Sequence, residues 1–135
     1  MAEAVKKEKK QKENTAKSTE QIVDIVKAEA KYVRVAPRKI DRVLRLIRGK
    51  KAGEATTILK FLPHSGAAVA AKVLKSAIAN ATNNNGWDAE GLVVTKAVAN
   101  NGIILKRYRA GGKGRAQKIM KYSSHVVIEL KKGDN

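Results

Sequence analysis

The sequence predicts an α+β domain with one long basic hairpin, and three observations carry that expectation. Three consecutive segments show helical apolar spacing, β-branched segments flank them on both sides, and a glycine-centred, acid-free stretch separates the last two extended segments. At 135 residues the chain suits one compact domain with some appended chain.

Residues 1–17 are rich in Lys, Glu and Gln and hold too little apolar surface to fold alone. Ser18 and Gln21 have the capping-box spacing, and Ile22, Val23, Ile25 and Val26 suggest one face of a short helix over 19–30. So short a helix is marginal unless it docks. Residues 1–30 are therefore expected to be a flexible, charged N-terminal extension, 31–132 the folded domain with a hairpin over 100–122, and 133–135 a tail. The first thirty residues lack arginine and any long apolar stretch, which argues against a transit or signal peptide.

Lys31–Ala36 reads as a short strand, because Tyr32, Val33 and Val35 favour extended chain and Ala36 precedes Pro37. Pro37 marks a helix start. Ile40, Val43, Leu44 and Ile47 follow at i, i+3, i+4, i+7, and Gly49 is an end signal. A second helix from about Gly53 to Leu62 carries Ala55, Ile58, Leu59 and Leu62 on one face and stops at Pro63. A third begins near Ser65, buries Ala70, Val73, Leu74, Ala77, Ile78 and Ala81, and ends at Asn83-Asn84-Asn85-Gly86. Small residues on that face allow close helix approach. Leu92–Ala99 and Val126–Leu130 read as strands. Between them, Asn100–Tyr122 carries seven basic residues and no acid, centred on Ala110-Gly111-Gly112-Lys113-Gly114. It reads as a long hairpin projecting from a small sheet, with arms of roughly 10 residues and a reach of about 30 Å. Such an arm is expected to lack an apolar face of its own, and a lone hairpin is marginal in water. Something anionic must hold it.

The formal net charge is +17. Residues 1–30 hold seven lysines and six acids, so the remaining 22 basic and 6 acidic residues give the domain a net of +16. A chain so charged repels itself unless a polyanion neutralises it, and nucleic acid is the common one. Arginine dominates the first helix and much of the arm, and its planar fork matches phosphate oxygens. No run of about 18 apolar residues exists to span a bilayer. Cysteine is absent, which excludes disulfides and thiolate zinc sites. The five aromatics are too few for a large aromatic core or a stacking platform.

Catalysis finds no support. His64 and His125 lie far apart without acids at ligand spacing, the six domain acids form no evident carboxylate pair, and Ser123-Ser124-His125 lacks the distributed roles of a triad. The glycines of the tip match neither the P-loop nor the dinucleotide fingerprint. No metal, cofactor or enzymatic activity is expected. A DNA-bending protein with a basic β-arm is the alternative from another class, but the Ala-Gly-Gly tip lacks the apolar wedge such arms carry. A membrane-surface or acidic-protein binder would need a basic amphipathic helix working alone, whereas the apolar stripe of the first helix belongs to the core.

Residues 31–132 resemble the bacterial large-subunit ribosomal protein family numbered twenty-two. The motifs that carry the likeness are Tyr32-Val33-Arg34-Val35-Ala36-Pro37-Arg38-Lys39, Leu46-Ile47-Arg48-Gly49-Lys50, Val73 to Ala81 with Asn84-Asn85-Gly86, Lys106-Arg107, Lys113-Gly114-Arg115-Ala116 and Ser124-His125. The resemblance implies three helices packed on a three-stranded antiparallel sheet, with one long protruding hairpin. It implies a cytoplasmic ribosomal protein whose partners are large-subunit rRNA, neighbouring ribosomal proteins and the nascent peptide, and not a homo-oligomer. The RNA-binding candidates are Lys31, Arg34, Arg38, Lys39, Arg42, Arg45, Arg48 and Lys50 on the body, Lys106, Arg107, Tyr108, Arg109, Lys113, Arg115, Lys118 and Lys121 on the arm, and His125. Arg109, Ala110, Gly111, Gly112, Lys113 and Gly114 would form a tip lining the nascent-peptide exit tunnel. Two departures stand out: Ala110-Gly111 replaces the Pro-Arg common at the family's tip, and the N-terminal extension is longer than usual.

Overall fold

The computed structural model describes residues 25–133. Strand β1 (Ile25–Val33) is followed by helices α1 (Pro37–Ile47), α2 (Ala52–Phe61) and α3 (Ser65–Asn85). Strands β2 (Leu92–Asn101), β3 (Leu105–Ala110), β4 (Ala116–Lys121) and β5 (Ser124–Lys132) complete the chain. The main sheet is antiparallel in the order β1-β5-β2, and β3 and β4 form a separate two-stranded ladder. This is the α+β arrangement expected.

Each helix forms where its apolar spacing placed it. Pro37 occupies the first turn of α1, where its missing N–H costs nothing, and Ile40, Val43, Leu44 and Ile47 are all fully buried. Helix α2 stops one residue earlier than expected, because Leu62 precedes Pro63 and takes extended dihedrals. Helix α3 ends in a left-handed Gly86 (φ 64°), with Gly86 N–H donating to Thr82 O (3.1 Å) and Trp87 N–H to Ala81 O (3.1 Å). The glycine's bond four residues back is that of an αL cap, and Trp87 then packs back on the core.

The helices cover one face of the sheet. Helix α1 lies on β2, α3 lies on β1 and β5, and α2 packs against α3. On the central strand, Val126, Ile128 and Leu130 point into this layer and are fully buried. Alanines at 67, 70, 77 and 81 on α3 let its backbone approach the sheet closely.

Two expectations need correction. The short helix expected over 19–30 is strand from Ile25 onward, and residues 19–24, like the rest of 1–24, lie outside the described residues. Val26, Ala28 and Ala30 alternate with Lys27, Glu29 and Lys31, a period of two that pairs Ile25–Ala30 with Lys131–Val126 of β5. The free edge of β5 overrides the helical preference of Ala, Glu and Lys. The first strand accordingly runs Ile25–Val33 and not Lys31–Ala36.

The ladder expected along the whole hairpin is broken into two. Between Asn101 and Leu105 the strands exchange irregular bonds, Gly102 N–H to Ser123 O (2.9 Å) and Ser123 Oγ to Ile103 O (2.6 Å). The outer ladder therefore has six pairs, Leu105↔Lys121 through Ala110↔Ala116, about 20 Å at ~3.3 Å per residue.

The packing predicts a sharp contrast along α1. Leu44→Ala should lose about 2–5 kcal/mol of unfolding free energy in a urea titration. Leu46→Ala, on the exposed side of the same helix, should stay within about 0.5 kcal/mol of the parent.

Candidate nucleic-acid interface

Register fixes which arm side chains share a face. Directly opposed residues of an antiparallel pair lie on the same side. One side of the arm thus carries Leu105, Arg107, Arg109, Gln117, Ile119 and Lys121, and the other carries Lys106, Tyr108, Ala110, Ala116, Lys118 and Met120. Every cation stands opposite a neutral residue: Lys106 faces Met120, Arg107 faces Ile119, Lys118 faces Tyr108, and Arg109 faces Gln117. No like charges oppose each other, so the ladder forms despite its charge. Both sides remain cationic.

The arm is not as purely polar as its composition suggested. Ile103, Ile104, Tyr108, Met120 and Tyr122 are exposed apolar side chains along it. The arm thus shows cations and apolar groups on both faces.

At the tip, Gly112–Gly114 form a tight turn closed by Gly111 N–H to Arg115 O (2.8 Å) and Arg115 N–H to Gly112 O (3.3 Å). Gly111 has no room for a Cβ, which would stand 2.9 Å from Arg115 O. Gly114 takes φ 70° and Lys113 φ 55°, so the turn needs left-handed backbone at two successive residues. Arg109 and Lys113 are exposed beside it.

The body contributes a second basic region. Lys31 and Arg34 are exposed around the end of β1, and Arg38, Lys39, Arg42 and Arg45 are exposed on α1. Arg38 and Lys39 sit in the first turn of α1, which holds no acid. Cations at the positive end of a helix dipole are unfavourable, so these charges do not serve the helix itself.

Four expected binders, Arg45, Arg48, Lys50 and His125, also make structural bonds. Asp41 accepts from Arg45 Nε (2.9 Å) and from an Arg48 terminal nitrogen (2.6 Å), and Arg48 Nε donates to Ala97 O on β2 (2.6 Å). The next residues continue along the same strand edge: Gly49 N–H donates to Val94 O (2.8 Å) and Val94 N–H to Lys50 O (3.0 Å). The sequence Arg48-Gly49-Lys50 thus covers the free edge of β2, which otherwise offers unpaired backbone groups. His125 is likewise committed at one nitrogen, since Nδ1 accepts from Tyr32 N–H (3.1 Å) and its ring meets Tyr32 edge-on at 4.8 Å.

The open face of the sheet differs in charge. Glu129 stands opposite Lys27 on one neighbour strand and Lys96 on the other, with Lys96 Nζ 3.4 Å from its carboxylate. Lys27 also lies 3.7 Å from Glu29. The arm, the β1–α1 connector and α1 carry cations of which only Arg45 and Arg48 have a carboxylate partner among the described residues. Among the described residues no cluster of His, Asp and Glu could hold a metal ion, and no helix is long and apolar enough to cross a membrane.

Comparison with known proteins agrees with this arrangement. The family model described as Ribosomal protein L22p/L17e matches residues 28–131. This chain belongs to that family. A protein of Clostridium novyi named Large ribosomal subunit protein uL22 is 50% identical over 105 residues, covering 78% of this chain and 95% of the relative. Relatives of the same name from Oceanobacillus iheyensis (51% over 110 residues; 79% and 97% covered) and Finegoldia magna (51% over 102 residues; 76% and 91% covered) are similarly close. The L22p/L17e match begins at Ala28, within β1, and so includes Ala28–Ala30, the end of the segment expected as a short helix. It also spans the whole arm.

Some charged and aromatic surface escaped sequence reasoning. Lys51, Lys60, Lys72 and Lys75 are exposed on the body, and their single positions between apolar residues gave no signal beyond ordinary solvation. Tyr32 was a strand former by composition, and only the backbone reveals its outward, left-handed placement.

The two arginines on Asp41 should separate in a stability measurement. Arg48→Ala loses the bond to Ala97 O and should cost about 1 kcal/mol in urea unfolding, after allowance for its partial exposure. Arg45→Ala removes only a surface pair and should change stability by less than about 0.5 kcal/mol.

Proposed function

We propose that this chain is a structural constituent of the large ribosomal subunit in the cytoplasm, where its body and arm bind and organise large-subunit rRNA. The observation that carries the reading is the two-sided arm: cations on both faces, none opposed by another, and no core of its own. An element like this gains stability only between polyanions. Family membership supports the same assignment, because the relatives are named as large-subunit proteins. Its class of activity is architectural, with no enzymatic step.

In this mechanism Arg38, Lys39 and Arg42 on α1, with Lys31 and Arg34 beside them, pin the body to phosphates. Lys106, Arg107, Arg115, Lys118 and Lys121 grip RNA along the arm, and Arg45, Arg48 and Lys50 contribute where their structural bonds leave donors available. Phosphate position and RNA shape are the features such contacts read. The tip, Arg109 to Gly114, reaches the wall of the nascent-peptide exit tunnel. Its glycines keep it slender there, and Lys113 is the cation nearest the turn's apex.

Sedimentation of tagged protein through a sucrose gradient, followed by crosslinking, tests the reading. Co-migration with the large subunit and crosslinks from Lys106–Lys121 to rRNA are expected. Protein at the top of the gradient, or crosslinked mainly to DNA, would sink it. Affinity for isolated large-subunit rRNA should fall linearly on a log–log plot against salt, and Arg107→Ala should reduce that slope by about one unit or less. Salt-insensitive binding would contradict the phosphate contacts.

A further inference from the structure

Where β1 leaves the main sheet, its pairing with β5 breaks step between Ala30 and Val33. Tyr32 sits in that bulge with φ 56°. A bulky aromatic residue in left-handed backbone is an outlier, and such strain persists only where surrounding contacts enforce it. Here the enforcement is visible: Tyr32 N–H donates to His125 Nδ1 (3.1 Å), and the imidazole meets the phenol ring edge-on, 4.8 Å away at 80°. Bulges of this kind re-aim a side chain. The outcome is a tyrosine held out of the core, with 60% of its surface exposed.

The ring opens onto a cleft of about 830 Å³ between the β1–α1 connector and the root of the arm. Arg34 and Lys39 come to it from the body, Arg107 and Lys121 from the arm, and Tyr122 joins Tyr32 as a second aromatic. Ile103 and Met120 add apolar surface that is otherwise left in water. No carboxylate lines it. Four cations alone would suit phosphates, but phosphates do not cover tyrosine, isoleucine and methionine. The surface asks for a group that is flat and apolar in its middle and anionic at its ends.

We propose that this cleft receives an unstacked nucleobase of the RNA, stacked on Tyr32, with Arg34, Lys39, Arg107 and Lys121 holding the flanking phosphates. The inference rests on the RNA-binding reading and adds a base-recognition site to what is otherwise phosphate contact. Splayed-out bases are commonly taken up on aromatic rings in this way. The cleft's volume lies within the range of about 300–1,000 Å³ usual for small-ligand sites, so a single nucleotide fits with its neighbours' phosphates at the rim. Its position has a consequence for the arm. The main ladder is interrupted between Gly102 and Ile104, so the arm's angle is not fixed by continuous strand pairing. A base bridging connector and arm root would fix it.

The test uses the full chain with labelled tyrosine rings, followed by NMR during titration with adenosine 5′-monophosphate and, in parallel, ribose 5-phosphate. The two ligands carry the same phosphate and differ in the base. The ring resonances of Tyr32 and Tyr122 should move upfield with the nucleotide and little with the sugar phosphate, while Tyr108 stays in place. Tyr32→Phe should keep the Tyr122 response, and Tyr32→Ala should weaken nucleotide binding about tenfold while leaving the remaining amide spectrum intact. Equal responses to the two ligands would overturn the base site, as would shifts centred on Tyr108 or none up to about 10 mM, well past millimolar binding. Stronger binding of an acidic, tyrosine-containing tetrapeptide than of the nucleotide would assign the cleft to a protein partner instead. Each of these failures leaves co-sedimentation with the large subunit untouched, whereas loss of co-sedimentation removes the RNA reading whatever the cleft binds.

Discussion

The backbone ladder on both sides of β5 is the interaction on which the rest depends. β5 pairs with β1 along one edge and with β2 along the other, and its inward side chains Val126, Ile128 and Leu130 form the floor on which the helices sit. The same strand is the direct continuation of β4, and β2 leads directly into β3. The arm is thus an outgrowth of the central ladder, rooted in a strand pair that is buried on its helix side. A hairpin with no core of its own acquires a rigid base by this continuity. Only the irregular step at Gly102–Ile104 and Ser123 gives it freedom to turn.

The core is thin for a reason that also explains the surface. Alanine fills much of the helix–sheet contact, and none of the fully buried side chains is aromatic. Four of the five aromatic residues, Tyr32, Phe61, Tyr108 and Tyr122, are exposed instead. In a domain with so few large rings, placing them outside forgoes burial that would have stabilised the fold. Tyr32 shows the same preference in its backbone, since it accepts a left-handed conformation to remain outside. Three of these four rings lie on the arm or at its root, which ties that cost to the arm.

Much of this was legible in the sequence, and the failures have physical causes. Ile40, Val43, Leu44 and Ile47 announce α1 because their spacing has no other sensible reading, and all four are fully buried. The Asn-Asn-Asn-Gly ending of α3 is equally readable, since glycine takes the left-handed cap without steric cost. β1 reads as helix in the sequence because Ser18 and Gln21 have the capping-box spacing and Ile22, Val23, Ile25 and Val26 suggest a helical face, with the helix formers Lys27-Ala28-Glu29-Ala30 after them. Its strand state is set by the edge of β5, a partner about a hundred residues away. Arg48 read as one more surface cation on a basic helix face. Its bond to Ala97 O depends on where α1 ends against β2, which no local pattern encodes. The basic arm was found by composition, but which side of it each charge occupies follows from register alone.

Charge and stability are therefore divided between different parts of the molecule. On the open sheet face Lys27 and Lys96 lie beside Glu29 and Glu129, so part of the charge there is balanced locally. The arm and α1 hold cations that work against local stability, at a helix N-terminus and along an unsupported ladder. Sequences tend to break local rules where function requires it. On the proposed reading, the helix–arm side meets RNA and the sheet face is left to solvent or neighbouring proteins. The body folds on its own apolar contacts and presents the binding surface ready-made. On the same proposed reading, the arm gains further stability when the RNA binds, so ordering of the arm and ordering of the RNA would be one event.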